Sequence, residues 1–266
     1  MIRNNYHTHT FRCGHAIGND EEYVIEAIGM GLHTLGFSDH VMLKGVRQDN
    51  VRGDFECTEG YFASIRQLQY KYRDRIKILL GFEAEAFEEF FPYYKELLET
   101  KKIDYLILGN HCTLDNGIIR NYFGKFTTKK DVIEYTDSLI KGMETGLFSA
   151  VAHPDYFMDT YFKWNFFTKR IAKRIIKKSI ELDIPLEFNL SCFRRGKQKK
   201  GKEIRWGYPY IPFWKMVSKM KAKVIVGIDA HAPSDISSYL NDEGYRLLET
   251  LNLNVIEELN IDRKYK

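Results

Sequence analysis

Two pairs of side chains that commonly bind metal ions stand out in the sequence, and both pairs have the same spacing. His7 and His9 lie two residues apart, and so do Asp229 and His231. In a β-strand, residues i and i+2 point to the same face, so each pair would offer two ligands together. Imidazole nitrogen combined with carboxylate oxygen suits Zn, Mn or Fe, whereas Mg and Ca prefer oxygen ligands alone. The spacing therefore predicts a transition-metal site on strands.

The elements that would carry these residues alternate along the chain. Seven short apolar segments have the composition of strands, and helical periodicity fills the stretches between them. The predicted strands are Asn4–Thr10, Thr34–His40, Ile76–Ala84, Tyr105–His111, Ala150–His153, Leu186–Ser191 and Val224–His231. The predicted helices are Glu21–Met30, Thr58–Arg73, Phe90–Thr100, Lys129–Thr145, Thr168–Leu182, Phe213–Lys221 and Ile236–Leu251. Strand–helix pairs in succession indicate a parallel sheet covered by helices, either open or closed into a barrel.

Residues of the metal-binding types gather at the C-terminal ends of these predicted strands. Six of the eight histidines lie at or next to such an end, and Glu83 and Asp229 do so as well. The strand ends of a (β/α) barrel converge on one mouth, whereas an open sheet spreads them along a line at about 4.8 Å per strand. The pattern therefore favours a barrel of seven strands. The candidate ligands are His7, His9, His15, His40, Glu83, His111, His153, Asp229 and His231.

Nine candidate ligands exceed the needs of one metal ion, because a catalytic site rarely uses more than four protein ligands. They fit two or three divalent transition metals (Zn, Mn or Fe), with a carboxylate such as Glu83 able to bridge. His33 begins its strand and has no partner pattern, so we expect it to be an ordinary packing residue. Asp39 and Asp155 each flank a candidate ligand, either to orient an imidazole or as ordinary loop carboxylates.

Composition bounds the remaining function classes. The chain has 266 residues, 44% of them hydrophobic and 29% charged, with a net charge of +4. These values are typical of a globular protein, and we expect one domain over residues 1–266. No apolar run is long enough for a membrane span or a secretory signal, so we expect a cytoplasmic protein with no membrane partner. The basic face of the helix predicted at Thr168–Leu182 lacks interleaved aromatic residues, so no nucleic-acid partner is expected.

Seven motifs in the order of the predicted strands resemble those of the polymerase and histidinol phosphatase (PHP) superfamily, and within it the histidinol-phosphate phosphatases. They are HTHTFRCGHAIG (7–18), GFSDH (36–40), GFEAE (81–85), GNH (109–111), AHPD (152–155), FNLSCFRRG (188–196) and GIDAH (227–231). The resemblance covers nearly the whole chain. It implies a TIM-like, distorted (β/α)7 barrel with a trinuclear metal centre at the C-terminal ends of the strands.

The resemblance also implies how the ligands are shared among the metals. One metal would be held by His7, His9, Glu83 and Asp229. A second would be held by Glu83, His111 and His153, with Glu83 bridging, and a third by His15, His40 and His231. The implied reaction is hydrolysis of L-histidinol phosphate to L-histidinol and phosphate in histidine biosynthesis, by a hydroxide that bridges metals. Glu83 and Asp229 would be the catalytic residues, with Asp229 placed to move a proton.

A phosphomonoester dianion needs positive charge beyond that of the metals, and the planar fork of arginine matches it. Arg194 and Arg195 follow the sixth predicted strand, and Lys197 is close by. The family resemblance also places a phosphate-binding arginine or lysine here. We therefore expect at least one of the two arginines to contact phosphate, with Arg195 preferred and Lys197 as the third candidate. The alternative is a solvated basic loop.

Two other functions use the same side chains. A PHP-type nuclease or phosphodiesterase would keep the site and change the substrate. A non-catalytic, metal-bound regulatory protein would keep the ligands and lose turnover. The mild net charge speaks against the first, and the full set of ligand-type residues speaks against the second.

Overall fold

The main sheet of the computed structural model contains eight parallel strands within residues 3–115, 117–122 and 127–262, which are the residues that the structure describes. The strands of the chain are β1 Asn4–Asn5, β2 Thr34–His40, β3 Lys77–Ala84, β4 Tyr105–Leu108, β5 Cys112–Asp115, β6 Ile118–Asn121, β7 Ala150–Val151, β8 Leu186–Asn189, β9 Gln198–Lys200, β10 Glu203–Arg205, β11 Lys223–Gly227 and β12 Asn254–Val255. The order in the main sheet is β1-β2-β3-β4-β7-β8-β11-β12. The pairs β5–β6 and β9–β10 are separate antiparallel hairpins.

Helices follow the strands of the sheet and cover it. They are α1 Asp20–Gly29, α2 Thr58–Lys71, α3 Phe91–Glu99, α4 Lys129–Glu144, α5 Phe166–Glu181, α6 Ser191–Arg195, α7 Ile211–Met220, α8 Pro233–Ile236 and α9 Asn241–Leu251. Short 3-10 turns lie at Phe11–Cys13, Phe55–Cys57, Glu88–Phe90 and Tyr156–Asp159. None of the helices in the described ranges combines the length and apolar composition that a membrane crossing requires.

Local sequence explains where several helices begin. Asn19 caps α1, because its side chain accepts from the amide of Glu22, whose carboxylate in turn accepts from the amide of Asn19. Thr128 with Asp131 and Asn165 with Thr168 form the same reciprocal cap at α4 and α5. Each cap satisfies backbone donors that the first turn of a helix leaves free.

Backbone hydrogen bonds close the sheet into a barrel at the C-terminal ends of its strands. The amide of His9 donates to the Ala230 carbonyl at 2.9 Å, and the Ala230 amide donates to the His7 carbonyl at 3.2 Å. At the opposite end, β12 pairs with β11, and the Asn4 side-chain amide donates to the Glu257 carbonyl at 2.8 Å. The seven predicted strands therefore form a distorted barrel, as expected, and β12 is an eighth strand inserted at the N-terminal end.

The elements that the sequence pattern missed are short. The hairpin β9–β10 carries one apolar residue, and β5 and β6 have four residues each, of which only Cys112 is buried. Strand β12 has two residues, both exposed. The helix predicted at Ile236–Leu251 is instead the two helices α8 and α9, separated by residues 237–240. The loop expected after the sixth strand is the short helix α6. That one domain covers residues 1–266 stays a prediction.

The side chain of Asn5 bonds to the backbone where the barrel closes. We predict that removing this side chain destabilises the folded protein. Its fully buried side chain accepts from the Ile228 amide at 2.9 Å and donates to Thr8 Oγ1 at 2.8 Å. Asn5→Ala leaves these buried groups unpaired, so the free energy of unfolding should fall by about 1–3 kcal/mol. Urea unfolding measures the change, with the exposed Asn260→Ala as control. Equal stabilities of the two variants would contradict this role.

Candidate metal centre and active site

Glu83 lies at the centre of the mouth of the barrel, at the end of β3, and is 1% exposed. Its Oε1 lies 3.0 Å from His153 Nε2 and 3.4 Å from His111 Nε2. Its Oε2 lies 3.4 Å from His7 Nε2, 3.5 Å from His9 Nε2 and 3.3 Å from His40 Nδ1. Each oxygen of one carboxylate therefore faces a different group of imidazoles.

The group on the Oε2 side contains His7, His9 and Asp229. His7 Nε2 and His9 Nε2 are 3.1 Å apart, and Asp229 Oδ1 lies 3.2 Å from His9 Nε2. Two nitrogen ligands of one tetrahedral zinc ion, each at about 2.0–2.1 Å from it, are roughly 3.3 Å apart. The spacing of these donor atoms fits a shared metal ion.

Asp229 provides a second indication that this group holds a cation. Its Oδ1 is buried and has no hydrogen bond of acceptable geometry from the residues that the structure describes. Buried carboxylate oxygens are normally hydrogen-bonded or bound to a metal, because an unpaired one costs free energy. The donor set of two imidazoles and a carboxylate oxygen suits a divalent transition metal.

The group on the Oε1 side contains His111 and His153, whose Nε2 atoms are 3.2 Å apart. A third group lies nearer the solvent, where His15 Nε2 and His231 Nε2 are 2.9 Å apart. His40 lies between the groups, because its donor atoms fall within 4.8 Å of those of His9 and His231 and also of those of Glu83 and His111. The structure thus brings together the nine residues that the sequence analysis selected.

Two of these ligand-type residues have an unusual backbone. His153 has φ +28° and Asp229 has φ +54°, both in the left-handed region that residues with a Cβ rarely adopt. Each such conformation costs on the order of 1–3 kcal/mol, and such residues concentrate at functional sites. The fold accepts this cost at two of the residues whose side chains turn toward Glu83.

Two glycines make room for carboxylates at the mouth. A Cβ at Gly109 would overlap the carboxylate of Glu83, and a Cβ at Gly227 would overlap that of Glu187. The motifs GNH and GIDAH each contain one of these glycines. Their lack of a side chain is therefore a direct requirement of the packed carboxylates.

Carboxylates behind the imidazoles were only partly anticipated. Asp39 Oδ1 lies 3.5 Å from His9 Nδ1. This position is compatible with the first of the two interpretations above, in which Asp39 orients an imidazole. Asp155 instead accepts from the Tyr210 amide at 2.5 Å and from Trp214 Nε1 at 3.0 Å, so the idea that it orients an imidazole is wrong. Sequence reasoning missed Glu187, which lies on β8, and Glu85, which lies one residue past the end of β3. For Glu85 the available signal was its position two residues after Glu83.

Charges in the cluster shift one another strongly. Burial alone would raise the pKa of Glu83, but the surrounding histidines outweigh it and hold the pKa well below its usual value. Burial lowers the pKa of His9, but the carboxylates of Asp229 and Asp39 outweigh it and raise that pKa to about 9. Burial and the nearby charge of His9 lower the pKa values of His40 and His231 well below the usual value. Since a metal binds neutral imidazole, binding here must displace protons and weakens as the pH falls.

A cavity of about 300 Å³ opens above the cluster. Besides the ligand-type residues it is lined by Asn50, Val51, Tyr156, Arg195 and Tyr208. Arg195 ends α6, and its Nη2 donates to Ser191 Oγ at 3.0 Å. One arginine therefore lies in the same cavity as the candidate metal ligands.

The other two residues expected to contact phosphate have partners elsewhere. Arg194 donates through Nη2 to the carbonyls of Ile228 and Asp229, both at 2.8 Å. Lys197 Nζ lies 4.2 Å from the centre of the Trp206 ring and 3.5 Å from Glu243. Because α6 is helical, adjacent residues point about 100° apart, which separates Arg194 from Arg195.

Comparison with known proteins relates this chain to phosphatases. The PHP domain family matches residues 5–191. A "Probable histidinol-phosphatase" of Deinococcus radiodurans is 26% identical over 234 residues, covering 86% of this chain and 86% of that protein. A "Probable phosphatase" of Caldanaerobacter subterraneus is 26% identical over 253 residues, covering 93% of this chain and 82% of that protein.

A solved structure shows the same fold. It is the histidinol phosphate phosphatase of Lactococcus lactis complexed with zinc, L-histidinol and phosphate. The TM-score is 0.72 at 19% identity, and the match covers 97% of this chain and 98% of that one. The likeness extends over the whole barrel.

Gly109→Ala tests whether the position of Glu83 controls metal binding. The added Cβ would displace the Glu83 carboxylate, so we expect the purified protein to lose most of its bound divalent metal. Elemental analysis measures the metal content, and circular dichroism checks the fold. Gly60→Ala in α2, where a Cβ meets no neighbour, is the matched control and should keep its metal. Normal metal content in Gly109→Ala would show that Glu83 is not needed for binding.

Proposed function

Because the chain belongs to the PHP domain family, we propose that it hydrolyses L-histidinol phosphate to L-histidinol and phosphate. The protein is an enzyme of a phosphatase family, to judge by relatives that align over most of their length. That the substrate is L-histidinol phosphate is part of the proposal. With this substrate the enzyme would act in histidine biosynthesis, in the cytoplasm.

One observation carries the proposal: a Glu83-centred cluster of metal-binding side chains lies under a small cavity that Arg195 also lines. The volume of about 300 Å³ is at the lower end of the range of about 300–1,000 Å³ for small-molecule sites. A small phosphomonoester can thus meet the metal ligands and a guanidinium together. The Lactococcus lactis neighbour, which holds zinc, L-histidinol and phosphate in the same fold, supports this choice.

The cluster would hold two to three divalent ions, with zinc, manganese and iron as the candidates. His7, His9, Asp229 and Glu83 Oε2 would hold one, and His111, His153 and Glu83 Oε1 a second. His15 and His231 would hold a third, with His40 near both them and Glu83. When bound, such ions supply Lewis acidity toward phosphoryl oxygens and lower the pKa of water.

The residues of the chain have separate tasks in this proposal. Glu83 keeps the two main ligand groups at a fixed separation, because each of its oxygens faces one group. Asp229, whose Oδ1 accepts no protein hydrogen bond of acceptable geometry among the described residues, would help to hold an ion and would move a proton to or from the attacking water. Arg195 would neutralise phosphoryl oxygens through two N–H groups.

The nuclease alternative has less support. The cavity has the size of a small-molecule site, and the basic face of α5 does not line it. On that face Arg174 pairs with Asp137 at 2.7 Å and Lys178 with Glu144 at 2.9 Å. Turnover of L-histidinol phosphate should therefore greatly exceed that of a 3′-terminated oligonucleotide. The reverse ratio would favour the nuclease.

The regulatory alternative predicts no turnover in any state. Phosphate release from L-histidinol phosphate is measured before chelation, after chelation and after return of zinc or manganese. We expect activity, its loss and its recovery. A protein that binds metal but releases no phosphate throughout would favour the regulatory function.

Glu83→Gln tests the bridging role directly. The amide has one acceptor oxygen and an NH2 group that only donates, so it cannot bind a metal through both atoms. We therefore expect turnover to be nearly abolished. The fold should persist, because the side chain keeps its size. Phosphate release and thermal unfolding measure the two effects. A near-normal rate would contradict the assignment.

Arg195→Ala tests the phosphate contact. Loss of a charge-assisted contact to the substrate should raise KM and lower kcat/KM for L-histidinol phosphate. The decrease in kcat/KM should correspond to a loss of about 2–4 kcal/mol of transition-state stabilisation. Lys199→Ala, an exposed change on β9, should do little. If kcat/KM of Arg195→Ala stays within about threefold of wild type, the phosphate is held elsewhere.

A further inference from the structure

Glu187 is a buried carboxylate that lies next to the ligand cluster without belonging to it. It is the second residue of β8 and is 3% exposed. A buried carboxylate is costly unless its oxygens are paired, so its contacts show what it does. Both oxygens of Glu187 contact candidate metal ligands.

The first contact orients an imidazole. His7 Nδ1 lies 2.7 Å from Glu187 Oε1. A carboxylate can only accept, so Nδ1 carries the hydrogen and Nε2 faces the cluster. That Nε2 is the atom 3.1 Å from His9 Nε2 and 3.4 Å from Glu83 Oε2. Glu187 thereby directs the donor atom of His7 toward the Oε2 side of Glu83.

The second contact fixes a strained backbone. The amide of His153 donates to Glu187 Oε2 at 3.1 Å, and His153 has φ +28°. An unfavourable φ persists only where the surroundings hold it, and this hydrogen bond is one such restraint. The conformation places His153 Nε2 3.0 Å from Glu83 Oε1. Glu187 thereby also acts on the Oε1 side.

A third contact reaches the remaining carboxylate ligand. Asn189 Nδ2 donates to Glu187 Oε2 at 2.9 Å and lies 3.2 Å from Asp229 Oδ2. By contrast, Asp39 lies near the ring of His9, at 3.5 Å, and Glu85 near that of His111, at 3.4 Å. Among these carboxylates in the described part of the chain, Glu187 is the one whose hydrogen bonds reach ligands on both sides of Glu83.

We propose that Glu187 is a positioning residue that holds His7 and His153 in register across Glu83, so that both main ligand groups depend on it. The inference rests on the proposed metal centre and is independent of which phosphomonoester is the substrate. Outer hydrogen-bond partners of this kind typically change metal affinity by 10- to 100-fold when removed.

The test compares zinc binding by wild-type protein and Glu187→Gln. The amide offers one acceptor oxygen for the two donors, and its NH2 faces whichever donor that oxygen leaves. The side chain must therefore shift, and neither His7 nor the His153 amide keeps its position. Competition with a chromophoric chelator measures the zinc dissociation constants. We expect the constants of both main groups to rise about 10- to 100-fold. Thermal unfolding with and without zinc gives a readout that needs no activity.

Asp155→Asn is the matched control, because Asp155 is a buried carboxylate that accepts hydrogen bonds from the Tyr210 amide and from Trp214 Nε1. It should lower the unfolding temperature of the metal-free protein but keep the wild-type rise on adding zinc. Glu187→Gln should instead lose most of the wild-type rise on adding zinc. Glu187→Asp, which keeps the charge but is one methylene shorter, serves as second variant if Glu187→Gln does not fold.

The possible results distinguish the role of Glu187 from the metal centre and from the choice of substrate. Wild-type zinc affinity in Glu187→Gln, or weakening confined to one ligand group, would overturn the proposal. Failure of both variants to fold without metal would make Glu187 a structural residue and would also overturn it. Wild-type protein that binds none of zinc, manganese and iron would contradict the metal centre itself. Zinc binding without hydrolysis of L-histidinol phosphate would contradict only the proposed substrate.

Discussion

The buried carboxylate of Glu83 is the constraint on which the rest of the mouth depends. An ionised carboxylate with almost no exposure is costly unless opposite charge or strong hydrogen-bond donors surround it. Here imidazoles approach both oxygens within 3.0–3.5 Å. One of these imidazoles, His40, has a pKa well below the usual value because of its burial and the nearby charge of His9, which favours its neutral form. Divalent cations between the groups would satisfy the carboxylate and the neutral imidazoles at once.

The fold accepts local costs to build this arrangement. His153 and Asp229 have left-handed backbones, and two positions must be glycine so that Glu83 and Glu187 fit. Such costs are tolerated where a large core supplies stability, and here Trp214, Phe82 and Phe188 are fully buried around the barrel. Arg194 supports the backbone at one of these positions, because it donates to the carbonyls of Ile228 and Asp229 rather than reaching the cavity.

The strands could be predicted from the sequence, because buried parallel strands have nearly continuous apolar segments. The ligand-type residues could be predicted because most of them lie at the ends of those segments. His15, which lies beyond the end of the first predicted strand, was also among the candidates, and the structure places its Nε2 2.9 Å from His231 Nε2. The supporting contacts were less accessible. Glu187 lies within a predicted strand, but its contact with His7 spans 180 residues and depends on the closure of the barrel. Arg194 and Arg195 could not be separated, because the short helix α6 has too few residues to show a period.

The proposed metal centre requires metal ions on both sides of Glu83. Anomalous X-ray diffraction from crystals of the zinc-loaded protein, collected on either side of the zinc absorption edge, locates these ions directly. We predict at least two zinc peaks, one within bonding distance of each Glu83 oxygen, with His7 and His9 at one and His111 and His153 at the other. A single peak, or peaks that leave one Glu83 oxygen without a metal, would contradict the claim.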